Sequence, residues 1–247
     1  MDAPALARAA FDAWLADLRG NALDADPHFG GILARYGRDA APHRAFGAQV
    51  SADLDDLARE TNRDEHLPRM SRFDGVGNRT EQVVFHPGYH QLGRAAYRTG
   101  LMAHYQQPGR ELDTLASVYL LGQDGEAGHT CPCACTAGMI KILRAAAADA
   151  STAPGDVNPS MAAAWLDRLY DADYDRHFHA SQFLTEVQGG SDVGSNAVSA
   201  RLDGDRWRLS GEKWFCSVAD AHIFLVTARP TDAATGTAGL AAFAVPR

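Results

Sequence analysis

The chain has 247 residues, 46% of them apolar, and its 31 acidic residues exceed its 23 lysines and arginines, giving a formal net charge of −8. A chain of this length can bury a core as one large or two small domains. Because no run of basic residues offsets the negative charge, we expect no direct binding to nucleic acid. The N-terminus resembles no leader, and no segment approaches the ~20 apolar residues of a membrane span, so we predict a cytoplasmic location without a membrane partner.

The first part of the chain has the apolar spacing of helices. Two stripes repeat about every three to four residues: Phe11, Trp14, Leu15 and Leu18, then Phe46, Val50, Leu54 and Leu57. This spacing predicts two amphipathic helices, and we expect both stripes to be buried. Further helices are predicted over about residues 89–105, 111–122, 134–149 and 160–174. Asn158-Pro-Ser160 supplies a start signal for the last of them.

After Asp175 the spacing changes to that of strands. Strands are predicted over residues 180–184, 197–202, 206–209, 223–227 and 240–245. Asp203-Gly204-Asp205 predicts a hairpin, because glycine takes a positive φ at little cost. We therefore predict an α+β fold with an all-helical N-terminal domain over residues 1–175 and an incomplete β-domain over residues 176–247.

Two segments of the predicted β-domain have the composition of a binding site. Thr185-Glu-Val-Gln-Gly-Gly-Ser-Asp192 follows a strand, and its glycines leave backbone N–H groups free to hold a pyrophosphate. Gly211-Glu-Lys-Trp-Phe-Cys-Ser217 offers an indole that can lie against a flat heterocycle. Each segment alone is ordinary, since Gly-Gly-Ser-Asp is common in turns and a strand tryptophan commonly belongs to a core. Together, in this order and at this spacing, they indicate a flavin site.

The same segments resemble the middle-domain signatures of the acyl-CoA dehydrogenase superfamily, which binds FAD. The superfamily resemblance is carried by Thr185-Glu186, Gly190-Ser191-Asp192 and Gly211-x-Lys213-Trp214. The runs Thr185–Val193 and Lys213–Val218 resemble the AidB-like branch more than the fatty-acid enzymes. Phe85–His90 and Gly128–Pro132 also resemble that branch, so the similarity extends from about Leu67 onward. It implies a helical domain followed by an antiparallel β-barrel or sandwich domain, of which this chain holds the amino-terminal half and lacks the C-terminal helical domain.

The resemblance also implies which side chains contact the flavin. They are Phe183, Leu184, Thr185, Gly190, Ser191, Trp214, Phe215, Cys216 and Ser217. The first three would meet the isoalloxazine ring, Gly190 and Ser191 the pyrophosphate or the ligand's phosphate arm, and Trp214 the far side of the ring. Many relatives have a threonine where Cys216 stands, and a thiol is a weaker donor, so either Cys216 or Ser217 would serve the N5 edge.

The family reaction removes a proton α to a thioester while a hydride passes to the flavin, which requires a carboxylate base. No carboxylate here matches that base: Glu186 lies in the turn, Asp192 is expected to cap it, and Glu212 lies in a polar turn. We therefore expect a second polypeptide to supply the base and the C-terminal half, within a homo- or hetero-oligomer that oxidises a CH–CH group. Two alternatives are a catalytically silent scaffold and an AidB-like flavoprotein associated with DNA damage. Val187-Gln188 departs from the fatty-acid enzymes, which weakens the inference of a simple acyl-CoA substrate.

Two clusters have residue types that ligate metals. Cys131, Cys133 and Cys135 lack a fourth ligand nearby, and His177 and His179 lack a third at zinc-like spacing. We predict no metal site. The thiols are expected to be buried and reduced at a helix start, and the histidines to lie at the junction between the two domains.

Overall fold

The computed structural model describes residues 2–125, 127–149 and 155–247. The chain forms two compact units, one of Met1–Thr130 with Ala172–Asp175 and one of Cys131–Asp171 with Arg176–Arg247. The second unit thus combines the strands with residues that the sequence assigned to the helical part. The predicted domain boundary after residue 175 stays a prediction.

The first unit is mainly helical. Its helices are α1 (Ala3–Leu18), α2 (Phe29–Arg35), α3 (Ala41–Gln49), α4 (Asp55–Thr61), α5 (Pro87–Arg98) and α6 (Glu111–Leu121). A π-helical segment, Val50–Leu54, continues α3 into α4. Helix α5 begins at Pro87, where the missing N–H costs nothing and φ is already helical. The ring of His86 caps this helix by accepting a hydrogen bond of 3.1 Å from the Gly88 N–H.

The two predicted apolar stripes have different environments. Phe46, Val50 and Leu54 are at most 6% exposed and belong to the core, as predicted. In α1, by contrast, Phe11 and Trp14 are 47% and 52% exposed. The prediction that the stripe in α1 is buried was therefore wrong for these side chains, because periodicity identifies an apolar face but not what packs against it.

An antiparallel hairpin interrupts the helical unit, which is therefore not all-helical. It consists of β1 (Arg69–Phe73) and β2 (Arg79–Val84), with Arg69 opposite Val84. Met70 and Phe73 are both more than half exposed. Since neither strand has a buried face, the sequence lacks the alternation by which strands are recognised.

The second unit combines helices with a sheet. It contains most of α7 (Ala127–Ala148), α8 (Pro159–Leu169), and the strands β3 (Ala180–Phe183), β4 (Ser199–Asp203), β5 (Arg206–Ser210), β6 (Ile223–Pro230) and β7 (Ala241–Pro246). The side chain of Asn158 caps α8 by accepting a hydrogen bond of 2.8 Å from the Ser160 N–H, as its start signal predicts. The Ala180 N–H at the start of β3 donates to the Thr136 hydroxyl of α7 at 3.1 Å.

The sheet has the order β3-β6-β4-β5, and β7 pairs with β6. The pairs β4–β5 and β6–β7 are antiparallel, and the hairpin glycine Gly204 has the predicted positive φ, +67°. Strand β6 runs parallel to β3 and, at its end, to β4, so the sheet is mixed rather than purely antiparallel. The predicted α+β class, a helical region followed by a sheet domain, is confirmed.

One segment of α7, Gly128–Ala148, is long and apolar enough to span a membrane by length and composition, contrary to the expectation from the sequence. A third of the segment is buried within the protein, including Met139, Ile140 and Leu143. Core helices of soluble proteins pass the same test, so this property is weak support for a membrane span.

Candidate functional site

The glycine-containing segment forms a tight turn directly after β3. The Glu186 N–H donates to the Gly189 carbonyl at 3.1 Å, and the Gly189 N–H donates back to the Glu186 carbonyl at 3.0 Å. Val187 and Gln188 form the exposed tip. Gly189 has φ of +152°, which side-chain-bearing residues rarely adopt, and a Cβ added there would meet no atom within 4 Å. The space beside the Gly189 Cα is therefore open, while its N–H is engaged within the turn.

The second segment is hydrogen-bonded to the first. The Trp214 N–H donates to the Thr185 carbonyl at 2.9 Å. Residues 29 positions apart in the sequence are thus neighbours in the structure. The two segments singled out in the sequence form one local surface of the sheet unit.

Large apolar side chains project from this surface into solvent. Trp214 is 50% exposed and Phe215 is 79% exposed, with their rings 5.9 Å apart and nearly perpendicular. Leu184 and Val187 in the first segment are also exposed. Contiguous exposed apolar groups commonly mark a binding surface. Phe183 differs from these four, since its ring stacks on that of Phe224 at 4.9 Å.

The loop after Trp214 has a strained backbone. Phe215 and Val218 have φ of +56° and +53°, a region that bulky and β-branched residues rarely occupy. The loop is held by hydrogen bonds, with the Ser217 N–H donating to the Phe215 carbonyl at 3.0 Å and the Ser181 hydroxyl donating to the Ser217 carbonyl. Such strain is concentrated at functional sites, where the surrounding structure imposes it.

A buried ion pair lies beneath the surface. The Lys213 ammonium is 2.7 Å from a Glu186 carboxylate oxygen, and the two side chains are 7% and 3% exposed. Lys213 also donates to the Leu184 carbonyl and the Thr227 hydroxyl, each at 3.2 Å. Asn196 donates to the same two oxygens, at 2.8 and 3.3 Å. The pair therefore fixes the segment before Trp214 against the turn after β3.

The carboxylate of Glu186 is fully engaged. It accepts hydrogen bonds from the N–H groups of Ala197 and Val198, at 2.6 and 3.1 Å, and from the Gln188 amide at 2.7 Å. Burial alone would raise the pKa of Glu186, but Lys213 and these donors lower it to about 2. Glu186 is thus ionised at neutral pH, and its lone pairs are directed into the protein.

Asp192 does not cap the turn as expected. Its side chain makes no capping hydrogen bond to residues 193–195, and its backbone carbonyl instead accepts from the Ser195 N–H at 3.2 Å. Asp192 and the neighbouring Ser191 are both exposed.

Gly190 is needed for the packing of the turn itself. A Cβ at this position would lie 2.7 Å from the Thr185 hydroxyl oxygen and 3.0 Å from its methyl carbon. The absence of a side chain at Gly190 thus leaves room for the Thr185 side chain beside the turn of Glu186–Gly189.

Cys216 and Ser217 follow Trp214 in the loop, and each has a side chain that can donate a hydrogen bond. Cys216 is partly buried, and burial raises the pKa of its thiol, so the thiol remains protonated and can donate at neutral pH. Ser217 is exposed and carries the stronger hydroxyl donor.

The remaining sequence candidates lie elsewhere in the sheet unit. Cys131, Cys133 and Cys135 are free thiols in α7, and only Cys133 is buried. The rings of His177 and His179 are 4.9 Å apart, and buried His177 donates from Nδ1 to the Asp171 carbonyl at 3.1 Å.

Sequence reasoning missed the role of Lys213. It identified the lysine as part of the Gly211-x-Lys213-Trp214 signature but did not pair it with Glu186. The sequence did contain a signal for this pair, because Glu186 and Lys213 have opposite charges and lie in the two segments that were expected to be neighbours. Asn196 and Thr227 carried no such signal, since polar residues near turns and strand ends are common.

Comparison with known proteins identifies the family. Residues 16–176 match the family "Adaptive response protein AidB N-terminal domain", and residues 181–247 match "Acyl-CoA dehydrogenase, middle domain". Acyl-CoA dehydrogenase family member 11 of Caenorhabditis elegans is 28% identical over 85% of this chain and 34% of its own length. The protein named AidB of Escherichia coli (strain K12) is 33% identical over 82% of this chain and 37% of its own length. The chain thus spans about a third of the length of these relatives.

Solved structures agree. Caenorhabditis elegans ACDH-11 in complex with C11-CoA superposes with a TM-score of 0.70 at 26% identity, covering 86% of this chain and 36% of that one. The apo form of Bd2924 gives a TM-score of 0.69 at 26% identity, covering 94% and 44%. The chain belongs to the acyl-CoA dehydrogenase superfamily, and its N-terminal region is of the AidB type.

Proposed function

We propose that this chain is the FAD-binding, amino-terminal part of an acyl-CoA dehydrogenase-like oxidoreductase. The observation that carries the proposal is the hydrogen bond between Trp214 and Thr185, which joins the open glycine bend to an exposed indole. A flavin nucleotide needs both features, a concave row of N–H donors for its pyrophosphate and an apolar wall for its ring. The exposed apolar surface beside the bend fits a flat tricyclic ring that would cover it.

In this proposal each side chain of the surface has a separate task. The backbone near Gly190 and Ser191 would hold phosphate, the Thr185 hydroxyl and Leu184 would contact the ring, and Trp214 would shield it from solvent. Phe183 would support the ring from the sheet, Phe215 would extend the apolar wall, and Cys216 or Ser217 would donate a hydrogen bond to it. FAD, when bound, would supply the hydride acceptor, and these residues would orient it and exclude water.

The proposed substrate class is an acyl thioester. The similar structure of ACDH-11 was solved in complex with C11-CoA, which supports a CoA thioester rather than a free acid. Glu186 cannot act as the base at such a substrate, because its carboxylate is ion-paired and accepts three further hydrogen bonds. We propose that the base comes from outside these 247 residues, either from a second polypeptide or from a longer form of this chain, within a cytoplasmic oligomer.

The test is to add acyl-CoA thioesters, without oxygen, to the complex of this chain with the polypeptide that supplies the base, and to record the flavin absorption band. We expect a yellow complex whose flavin band bleaches on addition of a thioester and returns with an electron acceptor. A colourless complex would contradict the proposed cofactor, and a yellow complex that no thioester bleaches would contradict the proposed reaction.

The engagement of Glu186 also supports a second candidate, a catalytically silent scaffold. A scaffold would fold fully without FAD and would not be stabilised by it, whereas a flavoprotein is stabilised by its cofactor through mass action.

A third candidate, an AidB-like role associated with DNA damage, is supported by the family of residues 16–176. The net charge of −8 counts against direct DNA contact, which a gel-shift experiment at low and moderate salt would test.

A further inference from the structure

The helical unit contains a cavity whose lining residues lie between positions 37 and 117, outside the segments proposed to bind the flavin. It has a volume of about 520 Å³ and is lined by residues of α3, α5, α6 and the loop after α2. Small-molecule sites in proteins are typically about 300–1,000 Å³. The cavity is therefore large enough for a compact metabolite.

Positive charge predominates in the lining. Arg38, Arg98 and Arg110 contribute guanidinium groups, whereas Asp39 and Asp113 contribute the carboxylates. Asp39 is occupied locally, because its side chain accepts a hydrogen bond of 2.9 Å from the Ala41 N–H at the start of α3. The lining thus has three permanent cations against two anions.

The buried carboxylate of Asp113 organises one side of the cavity. It lies 2.5 Å from Nε of Arg110, 3.2 Å from the His43 ring and 3.8 Å from Nε of Arg38. Burial alone would raise the pKa of Asp113, but its hydrogen bonds with Arg110 and His43 lower it below the usual value. Asp113 is therefore ionised and compensates about one guanidinium. Nη2 of Arg38 donates to the Gly109 carbonyl, whereas its buried Nε has no hydrogen-bond partner within the described part of the chain.

Arg98 is a lining cation that forms no ion pair with a carboxylate of the described residues. It is the last residue of α5, it lines the cavity, and it takes part in none of the ion pairs found among residues 2–125, 127–149 and 155–247. Burial also lowers the pKa of His104, another lining residue, so this imidazole is neutral at neutral pH. Phe46 forms an apolar part of the wall.

We propose that this cavity binds a small organic oxyanion, a carboxylate or phosphate monoester, with its charged group facing the guanidinium groups of Arg38 and Arg98 and its apolar part against Phe46. Guanidinium groups suit this ligand class, because their planar N–H donors match the oxygens of carboxylate and phosphate. The residues involved lie outside those that carry the flavin proposal, so the two proposals stand or fall separately.

Isothermal titration of the purified full chain with benzoate, phenyl phosphate and neutral benzamide tests the proposal. We expect saturable binding of at least one anion and none of benzamide. Arg98→Gln should weaken anion binding about tenfold, the effect of one charge-assisted contact. The matched control is Arg35→Gln, which changes the same charge at the exposed last residue of α2, away from the lining, and should leave affinity within about twofold.

Arg38→Gln provides a second test from the other side of the cavity, and it should also weaken anion binding. The proposal is overturned if neither anion binds, if benzamide binds as tightly as benzoate, or if Arg98→Gln and Arg35→Gln have equal effects.

Discussion

Lys213 and Glu186 form a buried ion pair at 2.7 Å that joins the two segments of the candidate site. Each residue is the neighbour in sequence of a proposed flavin contact, Lys213 of Trp214 and Glu186 of Thr185. The backbone hydrogen bond from Trp214 to Thr185 runs beside the pair. The geometry of the surface therefore depends on a charge interaction beneath it.

Removing one partner of this pair should be strongly destabilising. Lys213→Met leaves the Glu186 carboxylate buried without its counter-charge, and such changes cost about 3–5 kcal/mol. We expect a lower urea midpoint for unfolding, with part of the loss recovered in Lys213→Met/Glu186→Gln, because the remaining group is then uncharged. Arg208→Gln, at an exposed pair with Asp203, is the control and should cost less than about 1 kcal/mol. Equal losses in the two single variants would disprove the structural importance of the buried pair.

Gly190→Ala should destabilise the turn by about 1–3 kcal/mol, the usual cost of overpacking. The added Cβ would approach the Thr185 hydroxyl oxygen to 2.7 Å. Thr185→Ala removes that oxygen and the nearby methyl group, so the double variant should be more stable than the sum of the two single changes predicts. Urea unfolding of the four proteins gives this coupling. Strict additivity would show that the clash does not limit stability.

The stability of the protein should fall as the pH falls from about 6.5 to about 4. Burial lowers the pKa of both His129 and His177 from 6.5 to about 4, so between these values the unfolded chain binds more protons than the folded one. Each shift corresponds to roughly 3 kcal/mol lost across this window. Urea midpoints at successive pH values measure it. Glu186, with a pKa lowered from 4.5 to about 2, adds a further loss that begins only below about pH 4.5.

The histidine contribution can be separated by substitution. His177→Gln should flatten the pH dependence between 4.5 and 6.5 even if it lowers stability overall. A slope unchanged in this variant would show that His177 does not remain neutral in the folded state.

Val218→Gly should relieve backbone strain in the loop after Trp214. A β-branched residue at φ of +53° costs about 1–2 kcal/mol relative to glycine, which roughly offsets the entropy and packing lost with the side chain. We expect stability within about 0.5 kcal/mol of the unmodified protein. Val84→Gly, at an exposed strand end, should instead cost about 1 kcal/mol. If Val218→Gly were the more harmful change, the positive φ would not be a source of strain.

The sheet and the two site segments could be predicted because their signals are local. Strand alternation, the hairpin glycine Gly204 and the two glycine-containing motifs each act within a few residues. The hairpin β1–β2 and the exposure of Phe11 could not be predicted from the sequence, because both depend on what packs against the element concerned. The pairing of Lys213 with Glu186 could be predicted only in part. Both residues belong to motifs that were identified in the sequence, but only the fold brings their side chains together.

The most direct test of the account is a titration of FAD with the purified chain, followed by flavin fluorescence. The account predicts saturable binding that weakens at least tenfold in Trp214→Ala and is unchanged in Trp14→Ala, a tryptophan of nearly equal exposure in α1. Absence of saturable binding, or equal effects of the two substitutions, would contradict a flavin site between Thr185 and Trp214.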